Sequence, residues 1–338
     1  MSKPEIKTRV LHSETNNPWF NLATEDWIFR EMDPDGHVLF LWSNTETVVI
    51  GRYQNPWLEC RLDQMRADGV KLARRQSGGG AVYQDRKNLN FTFMSGVDVY
   101  DKDRNFEIII DAIAELGINV ETSGRNDMLC GGKKISGSAF KLTKDRAFHH
   151  GTLLVDVDLG RLQNYLNPDL LKLQSKGIKS VKSRVANLVE FNPVVNMDNL
   201  AAGITSSFFN RLGSGTEEVM NLDYLEKIPR LTEYYDTLRS EDWLYKKSPN
   251  FSHRLSRRFD WGGIEINIDV VHGSIAAAEI FNDSLYPEMI AKLEKALRDM
   301  PYHHDAVELL IADLQQDNED WNKSLQDIGD MLLNEIKG

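Results

Sequence analysis

The sequence predicts an α/β protein of the α+β kind, with one large domain and one small one. Three observations predict it. At 338 residues the chain exceeds a typical single domain. Its first 245 residues interleave strand-length apolar runs with amphipathic helical patterns. Both patterns then give way to Y-K-K-S-P-N-F-S, Tyr245 to Ser252, a polar stretch containing proline. The expected organisation is a large domain over 1–245, a linker over 246–252 and a small α+β domain over 253–338.

The elements follow in order. Pro18 to Met32 predicts a helix with Asn21 near its start, because Phe20, Ala23, Trp27 and Ile28 fall close to one face. Val38 to Trp42 and Thr47 to Ile50 are strand-length apolar runs joined by the polar turn Ser43-Asn44-Thr45-Glu46. Pro56 opens a helix carrying Leu58, Leu62 and Met65, which Gly69 closes. Val70 to Ala73 and Leu89 to Met94 alternate like strands. Phe106, Ile109, Ile110, Ile113 and Leu116 make a helical stripe that stops at Gly117. Ile118 to Glu121 is expected to return as a strand. Asp127 to Leu129 and Lys134 to Phe140 flank the turn Cys130-Gly131-Gly132-Lys133, and Phe148 to Val157 is the next strand. Leu159 to Leu166 and Asp198 to Leu212 read as helices. Past the linker, Arg258 to Phe281 reads as two or three strands with turns at Gly262-Gly263 and Gly273. Helices over Pro287 to Arg298, Asp305 to Leu314 and Asn318 to Ile336 complete the small domain.

Composition narrows the function. The chain is 41% hydrophobic and 27% charged, which suits a globular protein. No apolar run reaches membrane-spanning length and the first residues have no signal-peptide core, so a cytoplasmic protein without a membrane partner is expected. Two cysteines, Cys60 and Cys130, exclude a disulfide framework. A formal net charge of −11 argues against a nucleic-acid partner, which wants a basic face. The charge is uneven, however. Lys172 to Arg184 carries five basic residues and no acid, which suits a solvated loop or a lid over an anionic ligand.

The most informative stretch is L-A-R-R-Q-S-G-G-G-A-V-Y-Q-D, Leu72 to Asp85. Three glycines let a backbone approach a ligand and turn successive amides toward an anion. Arg74 and Arg75 stand beside them, and arginine pairs well with phosphate or carboxylate. The loop runs from strand to strand and lacks the G-K-[S/T] of a Walker A motif and the helix of a dinucleotide fold, so a nucleotide held here belongs to another class of site. A tight turn on a basic surface is the plainer alternative.

Four further groups stand out. Arg125-Asn126-Asp127 offers one carboxylate for Mg²⁺ on phosphates, or an Asx turn that starts a strand. Lys134 opens a strand on which Ser136, Ser138 and Phe140 share its face by two-residue periodicity. Inside a cleft it would offer three donors to developing negative charge; otherwise it is an exposed hairpin lysine. His149-His150 has no third ligand at metal spacing, which favours a hydrogen-bonding histidine over zinc. Cys130 is a candidate acyl-carrying nucleophile or a bystander thiol.

Taken together, these segments resemble the lipoate–protein ligase A family of bacteria. The matching stretches are P-W-F-N-L-A-T-E-D from Pro18, T-V-V-I-G-R-Y-Q-N-P-W from Thr47, A-R-R-Q-S-G-G-G-A-V-Y from Ala73 and S-G-R-N-D from Ser123. They continue with K-I-S-G-S-A from Lys134, H-H-G-T-L-L from His149, K-G-I-K-S-V-K-S-R-V from Lys176 and F-D-W-G-G-I-E from Phe259. Each is weak alone; their order and spacing over nearly the whole chain are specific. Met128 to Lys133 is shorter than in some relatives, a difference that bears on acceptor docking rather than on the chemistry.

The resemblance implies a mixed-sheet catalytic domain of the biotin/lipoate ligase type with a small α+β accessory domain, acting as a monomer. It implies that lipoate attacks ATP to give lipoyl-AMP, and that a lysine of an acceptor then takes the lipoyl group. The acceptors would be lipoyl domains of 2-oxoacid dehydrogenase acyltransferase subunits and the glycine-cleavage H protein. ATP and Mg²⁺ are required and no tightly bound prosthetic group is expected. Lys134 would be catalytic, touching both the acyl carbonyl and the phosphate. ATP would meet Arg75, Gly80, Ala81, Val82, Tyr83 and Lys134. Lipoate would meet Lys134, Arg75, Ser77 and His150. Lys176, Gly177, Lys179, Lys182 and Arg184 would belong to a loop covering the adenylate, and Asp127 would lie near Mg²⁺. Two alternatives compete: an octanoyl or lipoyl transferase of the same fold that needs no ATP but needs a cysteine nucleophile, and a lipoate-binding sensor without catalysis.

Overall fold

Alternation along the chain sets which strand meets which layer. The computed structural model describes residues 7–124, 126–166, 185–245, 253–271 and 273–336. They form two compact units. The first holds residues up to 244, apart from 51–55 and 76–80; the second holds those two short segments with 245 onward.

The first unit is built on an eight-stranded mixed sheet. β1 (Thr8–Ser13) runs parallel to both its neighbours, β2 (His37–Trp42) and β11 (Thr216–Met220). Beyond β2 come β6 (Asn88–Gly96), β10 (Arg146–Leu154), β9 (Lys133–Leu142), β8 (Asp127–Cys130) and β7 (Glu121–Ser123), all antiparallel. β2 is buried on both faces because successive side chains enter different layers. Leu39 and Leu41 join Phe91 and Phe93 beneath α4 (Lys102–Glu115) and α6 (Met197–Leu212). Phe40 and Trp42 join Met94 and Phe148 beneath α1 (Pro18–Glu31), which packs on α8 (Pro229–Arg239).

Several expectations needed correction. Val38 to Trp42 and Thr47 to Ile50 do not pair. β3 (Thr47–Ile50) belongs to a separate sheet between β4 (Lys71–Arg74) and β5 (Val82–Gln84). The polar stretch between them is no solvated turn, because Asn44 is fully buried, accepting from Asn21 and donating to Gln84. Asn21 lies in the first turn of α1, as expected, but it is not the cap. Asn17 caps α1 through the amides of Trp19 and Phe20, while Asn21 lies buried against Ser13 and Ser43. The helix expected from Pro56 breaks into α2 (Pro56–Glu59) and α3 (Leu62–Ala67). Cys60 leaves helical geometry to bridge Leu166, and the Arg61 amide donates to the Tyr165 carbonyl. Tyr165 itself ends α5 (Leu159–Tyr165). The strand expected over Ile118 to Glu121 forms later, as β7. α7 (Tyr224–Lys227), α8 and α9 (Glu241–Tyr245) carry no strong apolar stripe in sequence and were not anticipated.

In the second unit, β12 (His253–Phe259), β13 (Gly262–Val271) and β14 (Ser274–Asn282) form an antiparallel meander. α10 (Pro287–Leu297), α11 (His304–Gln315) and α12 (Asn322–Ile336) cover one face, with Ile266, Ile280, Leu293, Val307, Leu325 and Leu332 fully buried. Truncating one such leucine to alanine costs about 2–5 kcal/mol. Tyr53 joins this core, and the Asn282 amide donates to the Tyr53 carbonyl. The linker expected over 246–252 lies outside the described residues.

Candidate active site

A β-bulge decides where Lys134 points. Along β8 and β9, Met128 pairs with Ser136 and the next residue, Leu129, pairs with Lys134. Ile135 is therefore the extra residue on β9. A bulge bends the strand and re-aims side chains. Ile135 stays in the core beneath α4, fully buried, as does Ser136 on the strand. Lys134 turns instead over Gly137, where an added Cβ would lie 2.9 Å from Nζ. The expected common face of Lys134, Ser136, Ser138 and Phe140 is thus broken: Phe140 packs on His149 in the α4 layer. Asp127, which pairs with Gly137 in register, meets Lys134 Nζ at 2.7 Å; both side chains are partly exposed.

The face that Lys134 joins runs under α1. Registers place Gly137 beside Thr152, Ala139 beside His150, His150 beside Thr92, and Thr92 beside Phe40. Glycine and alanine on β9 leave room between Lys134 and His150. His150 Nδ1 sits 2.8 Å from Glu25 Oε1. Thr92 donates its hydroxyl to the same oxygen at 2.6 Å and accepts from Trp42 Nε1 at 3.3 Å. Glu25 is 1% exposed, one of two adjacent buried carboxylates in α1, the other being Asp26. Arg75 is also buried, donates from Nη1 to the Val49 carbonyl at 3.2 Å, and has its pKa drawn down to about 10 by burial, with Glu25 opposing. It stays cationic at neutral pH. Glu25, Thr92 and Trp42 escaped the sequence reading. The signal available was the glutamate in P-W-F-N-L-A-T-E-D, inside a helix stretch, Phe20 to Asp26, that is buried throughout.

His149 parts company with its neighbour. Both its ring nitrogens are buried without a hydrogen-bond partner, and Phe91, Phe93, Phe106 and Phe140 surround it. Burial first, then His150 and Lys102, hold its pKa well below the usual histidine range.

The two arginines before the glycines also separate. Arg74 is 1% exposed and is committed to structure: Nε donates to the Trp243 carbonyl at 2.8 Å, Nη2 to that of Leu244 at 2.7 Å, and Trp243 Nε1 donates back to the Arg74 carbonyl. It does not stand free beside a cradle as the sequence suggested. Within the loop, Gly79 has φ +90° and Gly78 has no space for a Cβ. Gly80 differs from both. Its φ is not in the left-handed region and, among the described residues, a Cβ would meet nothing within 4 Å. Ser77 is fully buried, with Oγ 3.5 Å from the Gly78 carbonyl. Ala81 leads into β5, where Val82 and Tyr83 pair with Val49 and Val48. The Tyr83 ring packs on Tyr165, its hydroxyl is buried without a partner, and burial raises its pKa.

Lys176, Gly177, Lys179, Lys182 and Arg184 lie outside the described residues, as does Arg125. Both cysteines are buried. Burial, with Glu59 beside it, pushes the Cys60 thiol up to about 12, and burial raises Cys130 as well. Asp127 belongs to no group of three metal-ligating side chains among the described residues. A single part-exposed carboxylate fits Mg²⁺, which takes one or two carboxylates and completes its shell with phosphates and water. Among the described residues, no helix is long and apolar enough to cross a membrane.

Comparison with known proteins shows the family. Residues 17–209 match the family described as lipoyl protein ligase A/B catalytic domain, and residues 248–332 match the bacterial lipoate protein ligase C-terminus. Lipoate-protein ligase A of Psychrobacter cryohalolentis is 49% identical, over 98% of this chain and 100% of that protein. Among solved structures, P. falciparum LipL1 in complex with lipoate is 31% identical with a TM-score of 0.86, covering 97% of this chain and 99% of that one. A lipoate-protein ligase A bound with ATP is 26% identical with a TM-score of 0.62, covering 71% and 99% respectively. With matches to both of its units and a relative along nearly its full length, the chain belongs to the lipoate–protein ligase A family.

Proposed function

We propose that the protein activates free lipoate with ATP and transfers the lipoyl group to a lysine of lipoyl domains, in 2-oxoacid dehydrogenase acyltransferase subunits and the glycine-cleavage H protein. The observation that carries this reading is the bulge at Ile135, which turns Lys134 over Gly137, on the sheet face that also carries Ala139 and His150. The relatives bound to lipoate and to ATP support the two substrates.

In the first step a lipoate carboxylate oxygen attacks the α-phosphorus. The bond to the β-phosphate oxygen breaks and pyrophosphate leaves. Two anions must meet, so cations have to offset their repulsion. Lys134 bridges the acyl oxygen and the α-phosphate; Asp127 holds its ammonium in place until substrate arrives. Arg75 supplies a second, fixed positive charge. The amides from Gly80 to Tyr83 approach the nucleotide where no side chain intervenes. His150, fixed by Glu25, and the small residues of β9 receive the acyl chain. Mg²⁺ near Asp127 would polarise the phosphates. In the second step the acceptor amine attacks the acyl carbonyl, loses a proton, and AMP leaves. The basic segment around Lys176, Lys179, Lys182 and Arg184 supplies cationic charge for the adenylate.

Lipoate-dependent exchange of pyrophosphate into ATP, measured without acceptor, tests the reading. Exchange that requires lipoate is expected. Acyl transfer with no such exchange would point to the ATP-independent transferase chemistry instead.

A further inference from the structure

The three glycines of the loop answer to different constraints, and two of them answer to one carbonyl, that of Ser284, within the second unit to which residues 76–80 belong. The Gly79 amide donates to the Ser284 carbonyl at 2.7 Å. A Cβ on Gly78 would lie 2.1 Å from that same oxygen. One backbone carbonyl therefore fixes both residues. It is itself held. Asn282 Oδ1 accepts from the Ser284 amide at 3.0 Å and from its hydroxyl at 2.8 Å. Asp283 accepts from the Gly263 amide at 2.6 Å and from Arg258 at 3.2 Å, and its own amide donates to the Gly263 carbonyl. A side chain at Gly262 would press on Asp283 and Ser284. On the other side, the Arg52 amide donates to the Ser77 carbonyl at 2.8 Å, and the Asn282 amide to the Tyr53 carbonyl. Ser284 is fully buried and Asn282 nearly so. The F-D-W-G-G-I-E stretch thus builds the seat of Asp283.

We propose that Asn282, Asp283 and Ser284 are positioning residues for lipoate activation: they set the carbonyl that holds Gly78 and Gly79, so that Gly80 keeps a fixed approach to the nucleotide. The inference rests on the nucleotide-binding reading of Gly80 to Tyr83.

A backbone carbonyl cannot be removed by substitution, so the test acts on what holds it. Asn282→Ala removes the acceptor for Ser284. Gly78→Ala forces the loop off the carbonyl. Leu309→Ala, exposed on α11 of the same unit and away from these contacts, serves as the control. Two quantities are read on the full chain: hydrogen exchange over residues 76–80, and pyrophosphate exchange with its KM for ATP. Asn282→Ala and Gly78→Ala are expected to speed hydrogen exchange in the loop. They should also lower kcat/KM for ATP by about 100-fold, the scale of a misplaced binding element, while the melting temperature separates this from unfolding. Leu309→Ala should match wild type in both. Unchanged hydrogen exchange in folded Asn282→Ala and Gly78→Ala proteins would overturn the proposal. Gly80→Ala keeps the two readings apart: with normal loop exchange it should still weaken ATP. If Gly80→Ala, and the faster-exchanging variants too, all bind ATP normally, the nucleotide-binding reading fails, and the proposal with it.

Discussion

Lys134 shows how much one residue's environment decides. Its sequence context offers a lysine among small residues, and two-residue periodicity assigns it the face of Ser136 and Phe140. Ile135 reverses that assignment, because one extra residue in a strand shifts everything before it to the other side. As a donor to charge that develops only in the transition state, Lys134 is expected to be worth roughly 100-fold or more in ligation rate, so Lys134→Ala should fall by that factor without a drop in melting temperature. A folded variant with near-normal turnover would remove Lys134 from the chemistry. The cysteines make the opposite prediction. Cys60 and Cys130 are buried and burial raises both thiols, so neither supplies a thiolate near neutral pH. Cys130→Ala should keep most activity, and intact mass should show no acyl-enzyme in the parent protein. A covalent adduct lost in Cys130→Ala would instead install a thioester intermediate.

At the scale of elements, the strongest patterns were legible and the exceptions were long-range. α4 and α6 follow from the periodicity of one buried face, and the β8–β9 hairpin and the small-domain meander from alternation and turn glycines. The break at Cys60 was not legible, since its cause is a bridge to Leu166 more than a hundred residues away. Nor was the separation of β2 from β3, because a buried Asn44 looks in sequence like a solvent-facing one. The site followed the same rule. By residue type Arg74 and Arg75 looked alike and Lys134 could pass for an exposed hairpin lysine; the resemblance alone selected Arg75 and Lys134, and the structure commits Arg74 to Trp243 and Leu244. The bulge carries its own prediction. Gly137→Ala places a Cβ 2.9 Å from Nζ and 3.0 Å from Cε of Lys134. The obstructed atoms are the flexible end of a side chain, so the fold should accept the change while the ammonium moves away. Activity should fall with little loss of thermal stability. Normal activity, with Lys134 still required, would show that its working position is not above Gly137.

For the molecule as a whole, two buried histidines tie stability to pH. Burial, then Arg104, lowers the pKa of His37 from 6.5 to about 4, and His149 is lowered well below 6.5. A depressed folded-state pKa means that the unfolded chain takes up the proton first. The contribution of His37 is therefore full above pH 6.5 and is lost as pH falls toward about 4; that of His149 continues to fall below 6.5 in the same sense. Melting temperature plotted against pH should fall over this window, and less steeply in His37→Asn. Parallel curves for the two proteins would show that His37 does not titrate differently on unfolding.

The reaction itself admits the most direct test. The protein is mixed with lipoate, Mg²⁺ and an isolated lipoyl domain, with and without ATP, and the acceptor is weighed by intact mass spectrometry. The expected result is one lipoyl group added to the acceptor only when ATP is present, with AMP and pyrophosphate released. Acceptor modified equally well without ATP, or not modified at all while lipoate still binds, would contradict an adenylating ligase built around Lys134.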